Sequence, residues 1–201
     1  MILALDGSSV DGRAYAEVVE LTRDAPAWLN DTVSAWSTYG LGLFAMAMVV
    51  AWWRARRVSA TAAVTALAVP FAVVTAYAVD AVLKLLVRED RPCQSLRVVT
   101  LEACPAHGDW SFPSNHAAVA AAAAVALLFV SRRLGRLAVV AAVVMAASRV
   151  WTGAHYPHDV AAGVVVGALT ALLVMPAARR HAGAPAGRLA ATRLHGLLVA
   201  S

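Results

Sequence analysis

Residues 58–83 read VSATAAVTALAVPFAVVTAYAVDAVL, an apolar run with one carboxylate, Asp80, closed on its far side by Lys84. Crossing a hydrocarbon core takes about 20 such residues, with a range of roughly 17–25. A run of this length predicts a membrane helix. Working outward, four more apolar segments follow the same pattern: 35–53, 116–130, 137–151 and 160–178. The expected fold is therefore all-α, a polytopic membrane helical bundle of about five transmembrane helices. The third and fourth segments are short, which suits helices whose ends line a sunken polar cavity instead of reaching the headgroups. All five are rich in Ala, Gly, Ser and Thr, residues that let helix backbones approach closely in lipid.

The whole chain agrees. Of its 201 residues 61% are hydrophobic and only 14% charged, and the mean hydropathy is +0.68. A soluble domain averages roughly 45–50% apolar and about 25% charged residues, so the excess must face something other than water. The formal charge of +5 would raise nucleic-acid binding, but the distribution of the cations excludes it. Arg54, Arg56 and Arg57 lie in one linker, Arg132, Arg133 and Arg136 in another, and Arg179, Arg180, Arg188 and Arg193 in the tail, with no acidic residue among them. This is a topology signal: basic linkers stay in the cytoplasm, so the remaining loops and the acidic leader face outward.

The leader carries Asp6, Asp11, Glu17, Glu20 and Asp24 and lacks a basic stretch before an apolar core, so it does not read as a cleaved signal peptide. Within 15–29, the apolar Val18, Val19, Leu21 and Trp28 fit an N-terminal interfacial helix; a plain polar leader is the alternative. Cys93 and Cys104 share one outward loop, where an oxidising compartment permits a disulfide, and two free thiols are the other reading. The stretch after Pro176 reads as a loosely ordered tail. The expected organisation is a membrane domain over 1–178 and a basic cytoplasmic tail over 179–201.

Ionisable residues gather at the outward helix ends. Lys84 and Arg91 are seven residues apart, close to two helical turns, so both can point the same way if the helix continues to Arg91, where Pro92 would stop it. Membrane anchoring is the plain alternative. Ser114 suits an N-cap before Asn115 and His116, where exposed N–H groups at the positive end of the helix dipole bind anions. Ser148 and Arg149 end the fourth segment, and Gly153-Ala154-His155-Tyr156-Pro157-His158-Asp159 opens the fifth. Four residues separate His155 from Asp159, within reach for the carboxylate to accept Nδ1–H and leave Nε2 free as a base or nucleophile. Three cations, a helix N-terminus and two histidines, one with a carboxylate, are the equipment for phosphoryl transfer without a metal.

These residues resemble the type 2 phosphatidic acid phosphatase superfamily, whose signature runs Lys, six residues, Arg-Pro; Pro-Ser-Gly-His; and Ser-Arg, five residues, His, three residues, Asp. The chain carries Lys84 to Arg91-Pro92, then Pro113-Ser114-Asn115-His116, then Ser148-Arg149 to His155 to Asp159. The resemblance implies that His155 is the nucleophile forming a phosphohistidine, oriented by Asp159. His116 would be the acid for the leaving oxygen and afterwards the base for water. Lys84, Arg91, Arg149, Ser114 and the backbone N–H of Asn115 would bind the phosphoryl oxygens. Asn115 stands where the commonest pattern has Gly; the backbone donor remains, but its Cβ narrows the approach.

The layout resembles the bacitracin-resistance type of undecaprenyl-diphosphate phosphatase. That implies a polyprenyl diphosphate cleaved to the monophosphate on the outer face of a bacterial inner membrane, for cell-wall synthesis, with phosphatidic acid or phosphatidylglycerol phosphate as rival substrates. No cofactor and no metal are implied, and the partners are a lipid phosphate and the bilayer. A metal hydrolase is the rival enzyme, since His107, His116, His155 and His158 share the outward side with several acids, but the cationic cluster would repel a divalent ion. A membrane scaffold or transporter is the non-enzymatic rival.

Overall fold

The computed structural model describes residues 6–191 and 195–199. Every element in it is a helix: Ser8–Asp24 (α1), Ala27–Tyr39 (α2), Leu41–Ala55 (α3), Ala60–Val87 (α4), Pro92–Ser95 (α5), Asn115–Val130 (α6), Arg132–Trp151 (α7), Pro157–His181 (α8), Gly183–Ala190 (α9) and His195–Leu198 (α10). By length and composition α4, α7 and α8 can each cross a membrane, and α2 with α3, bent by 50°, can make a fourth if the pair is one broken span. The expected fifth is α6, apolar but only 16 residues long, a rise of about 24 Å.

That short helix is the centre of the bundle. Ala117, Ala118, Ala120 to Ala124, Ala126 and Leu127 are all buried, as expected of a helix apolar all round. Its small side chains let α8, α7, α4 and α3 close on it. On α8 the matching residues are glycines: a Cβ at Gly163 would lie 2.5 Å from the Ser114 carbonyl oxygen, and one at Gly167 would run into the Ala118 carbonyl. Large side chains point the other way. Phe71, Leu137 and Leu173 are 65%, 69% and 76% exposed on α4, α7 and α8, an outer face fit for lipid.

Several helix boundaries differ from the sequence expectation. The segment predicted over 137–151 begins at Arg132, because Ser131 caps it, its hydroxyl accepting from Leu134 N; arginines in a first turn interrupt an apolar count but not a helix. The first span is two helices, pivoting at Gly40, where a Cβ would meet Met145 Cε at 2.7 Å and the Trp36 carbonyl. The leader helix predicted over 15–29 stops at Asp24, because Ala25 and Pro26 are extended and a residue before proline avoids the helical region. Trp28 thus belongs to α2. α1 itself packs inward, burying Tyr15 and Val19 against Tyr156, Leu96 and Val98, while Leu21 is 59% exposed.

The basic linkers converge at one end, where Arg54, Ser59, Ser131 and Arg179 line a cavity of about 560 Å³. α8 runs past residue 178 to His181, and α9 then folds back on α4 with Ala182 and Ala186 buried. Arg193 of the expected basic tail lies outside the described residues.

Candidate active site

At the opposite end of α4, Lys84 is buried within one turn of the helix terminus. Arg88 takes a left-handed φ of 53°, with its N–H on the Lys84 carbonyl. The helix therefore does not continue to Arg91 as expected: a left-handed residue turns the chain away. Arg91 instead precedes Pro92 at the start of α5. Both cations nevertheless reach one cavity. Lys84 Nζ donates to the carbonyls of Trp110 at 2.7 Å and Ser111 at 3.0 Å. Arg91 donates from Nε to the Asp109 carbonyl at 2.9 Å, from Nη2 to Asp109 Oδ1 at 3.0 Å and from Nη1 to the Ala154 carbonyl at 2.9 Å.

Ser114 occupies the N-cap position of α6, following a cis Phe112–Pro113 peptide. Its hydroxyl, expected as a cap, makes no hydrogen bond although it is fully buried; its N–H donates to the Asp159 carbonyl at 3.0 Å. Asn115 Oδ1 is also without a hydrogen bond, and Asn115 and His116 line the cavity.

Between α7 and α8 the chain makes a tight turn in which Gly153 has φ +79°. His155 follows, 2% exposed. Its Nε2 lies 3.4 Å from Arg91 Nη1, and its Nδ1 lies 3.5 Å from Asp159 Oδ2 and 3.4 Å from Ser111 Oγ. Asp159 Oδ2 accepts from the Ser111 hydroxyl at 2.5 Å and from the Tyr156 N–H at 2.9 Å, so the carboxylate also caps α8. Burial pushes the His155 imidazole down to about 3; Asp159 opposes this, and Arg91 and Lys84 reinforce it. The ring is thus neutral, a state in which a ring nitrogen can act as a base or nucleophile.

Arg149, near the end of α7, is held by a residue that the sequence did not single out. Glu102 accepts from Nη1 at 2.8 Å and Nη2 at 3.0 Å, and Nη1 also donates to Ser37 Oγ. Ser37 in turn donates to Glu102 at 2.6 Å. Burial works to raise the Glu102 carboxyl, but Arg149, Ser37 and Thr152 outweigh it and hold it below the usual carboxylate range. Arg149 Nε is left without a partner.

Lys84, Arg91, Asn115, His116, Arg149 and His155 line a single cavity of about 460 Å³. Glu102 and Asp109 line it as well, and Leu41, Tyr77 and Val119 give it an apolar wall. A Cys93–Cys104 disulfide, Cα–Cα 5.9 Å, ties down the loop that brings Glu102 in, which decides the question the sequence left open. Among the described residues, the group of histidines and acids close enough to hold a metal ion is Glu89, His158 and Asp159, with donor atoms within 4.8 Å. Neither Glu89 nor His158 lines the cavity.

Residues 65–182 match the family described as the PAP2 superfamily. The chain belongs to the PAP2 superfamily. It is 36% identical over 95 residues to the undecaprenyl-diphosphatase BcrC of Bacillus subtilis, covering 47% of this chain and 48% of that protein. It is 40% identical over 100 residues to a decaprenylphosphoryl-5-phosphoribose phosphatase of Mycobacterium tuberculosis, covering 49% and 53%. An undecaprenyl-diphosphatase of Sulfolobus acidocaldarius is 39% identical over 70 residues, 34% of each chain. The chain thus spans about half the length of these relatives or less. In fold it is similar to the crystal structure of a transmembrane PAP2 type phosphatidylglycerolphosphate phosphatase from Bacillus subtilis, with TM-score 0.57, 21% identity, and 85% and 87% of the two chains covered. The family match includes every residue singled out from the sequence for the site, from Lys84 to Asp159.

Ser111, Glu102 and Asp109 went unnoticed as site residues. Ser111 stands two positions before Pro113, and nothing in a serine's type announces a carboxylate partner. Glu102 did carry a signal: it is an acid two residues from a cysteine in the loop facing the cation cluster.

Proposed function

We propose that this chain is a membrane lipid phosphatase that removes the terminal phosphate of a polyprenyl diphosphate through a phosphohistidine on His155. The observation that carries the reading is the single cavity onto which three buried cations, His116 and His155 all open, with an apolar wall beside them. Its polar floor suits a phosphate, and Leu41, Tyr77 and Val119 suit the first carbons of a lipid. Two relatives named as undecaprenyl-diphosphatases favour the diphosphate over phosphatidic acid or phosphatidylglycerol phosphate.

The geometry supports the following chemistry. Lys84, Arg91 and Arg149, with the N–H groups at the start of α6, hold the phosphoryl oxygens and neutralise charge spreading over them in the transition state. His155 Nε2 attacks phosphorus; an N–P bond forms as the P–O bond to the lipid phosphate breaks, and His116 protonates the departing oxygen. Asp159 and Ser111 keep the His155 proton on Nδ1. Water then gives a proton to His116 and attacks phosphorus, the N–P bond breaks, and inorganic phosphate leaves. The basic linkers support an active site facing outward from a bacterial inner membrane.

The test is a panel of polyprenyl diphosphates and acyl glycerol phosphates offered to the purified protein in excess chelator. Phosphate release from the diphosphate is expected, and His155→Ala is expected to abolish it while the protein remains folded. Activity that vanishes in chelator and returns with one metal ion would overturn the mechanism. Preference for the acyl substrates would overturn the substrate.

A further inference from the structure

His158 lies behind the cavity and has no part in the chemistry above. Its Nδ1 is 2.8 Å from Asp11 Oδ1 on α1, and its Nε2 is 2.9 Å from Glu89 Oε1 in the turn after α4. Its backbone N–H donates to Asp11 Oδ2 at 2.7 Å. The ring stacks with both Phe112 and Tyr156, with centroids 6.0 Å and 5.4 Å away. An ionised carboxylate can only accept, so two carboxylate partners require both ring nitrogens to donate. Nε2 also stands 3.4 Å from Asp159 Oδ1, the oxygen of that fully buried carboxylate that accepts no hydrogen bond. The same helix α1 reaches the nucleophile's turn a second time, where the Tyr15 hydroxyl donates to the Gly153 carbonyl at 2.9 Å.

We propose that His158 is a positioning residue, a doubly protonated ring strung between Asp11 and Glu89 that holds Asp159 opposite His155 and fastens α1 to the nucleophile's turn. The ring faces the unbonded oxygen of Asp159 and leaves its other oxygen aimed at Ser111 and His155. α1 is therefore a brace of the active site. Gly7 shows how closely this end of α1 sits: a Cβ there would lie 2.9 Å from His158 Cε1.

The kinetic part of the test rests on the phosphatase reading; the spectroscopic part does not. In the full-length protein with labelled histidine, the nitrogen spectrum at pH 8 should show protons on both ring nitrogens of His158, and the signal should vanish in His158→Phe. That variant keeps the ring stack and loses both donors. Its kcat should fall about tenfold to a hundredfold with KM within about twofold, the split expected when orientation and not substrate binding is lost. Asp11→Asn and Glu89→Gln should each reduce kcat in the same direction, and Asp11→Asn should add little in the His158→Phe background, because the two act as one unit. One bare ring nitrogen at pH 8, a loss confined to KM, or a His158→Phe enzyme within twofold of the parent would overturn the proposal. So would a divalent ion bound stoichiometrically and lost in His158→Phe, which would make the ring a ligand. A parent protein releasing no phosphate would defeat the phosphatase reading, and the ring's two protons would still be decided by the spectrum.

Discussion

A buried neutral imidazole and a buried ion pair make opposite demands on the medium, and this site holds both side by side. His155 stays neutral down to about pH 3 in the folded chain, whereas an unfolded histidine takes up its proton near 6.5. Between those two values the unfolded state binds more protons, so stability conferred by this residue is complete above about pH 6.5 and is lost as the pH falls toward 3. Thermal unfolding in detergent between pH 7 and pH 4 should show the decline, and His155→Asn should flatten it; an unchanged slope would mean that the ring is not kept neutral. Glu102 acts differently. It occupies the Arg149 guanidinium, and under the proposed function a substrate oxygen takes its place there. Glu102→Gln should tighten inhibition by inorganic phosphate by on the order of tenfold, the loss of about 1.4 kcal/mol of competition. Equal inhibition constants would show that the carboxylate does not compete.

At the scale of elements, the site is precise because α6 and α8 are in backbone contact where their N-termini carry Ser114 and Asp159. Gly167 secures that contact: any Cβ there meets the Ala118 carbonyl. Gly167→Val should therefore pry the helices apart, costing roughly 1–3 kcal/mol of stability by overpacking and lowering kcat/KM, while Gly183→Val, with open space around it, should do neither. Thermal unfolding and phosphate release on the two variants decide it. The helices themselves were legible from apolar runs, and the motif residues from their types at fixed spacing within single segments. The partners were not. Glu102 meets Arg149 across 47 positions and Asp11 meets His158 across 147, and no local pattern encodes such closures. α1 misled for a related reason: Leu21 and Trp28 are apolar and exposed, while Tyr15 and Val19 bury themselves against residues far along the chain. Propensity alone also overran the break at Pro26 and the left-handed turn at Arg88.

The whole molecule is polarised. Lys84, Arg91 and Arg149 sit at one end, the two arginines paired with Asp109 and Glu102, while the arginines of both basic linkers and Arg179 stand at the other, about 24 Å away by the rise of α6. The bias of short basic linkers toward the cytoplasm predicts one orientation, with the linker arginines inside. Two exposed residues report on it without touching the site: Val99, 81% exposed in the disulfide-tied loop, and Val58, 78% exposed in the basic linker after α3. The native cysteines are joined to each other, so a single added thiol is the reactive one. In intact spheroplasts a membrane-impermeant maleimide should label Val99→Cys and spare Val58→Cys, and permeabilisation should expose the second. The reverse pattern would put the phosphate site on the cytoplasmic face, and with it a substrate presented from inside the cell.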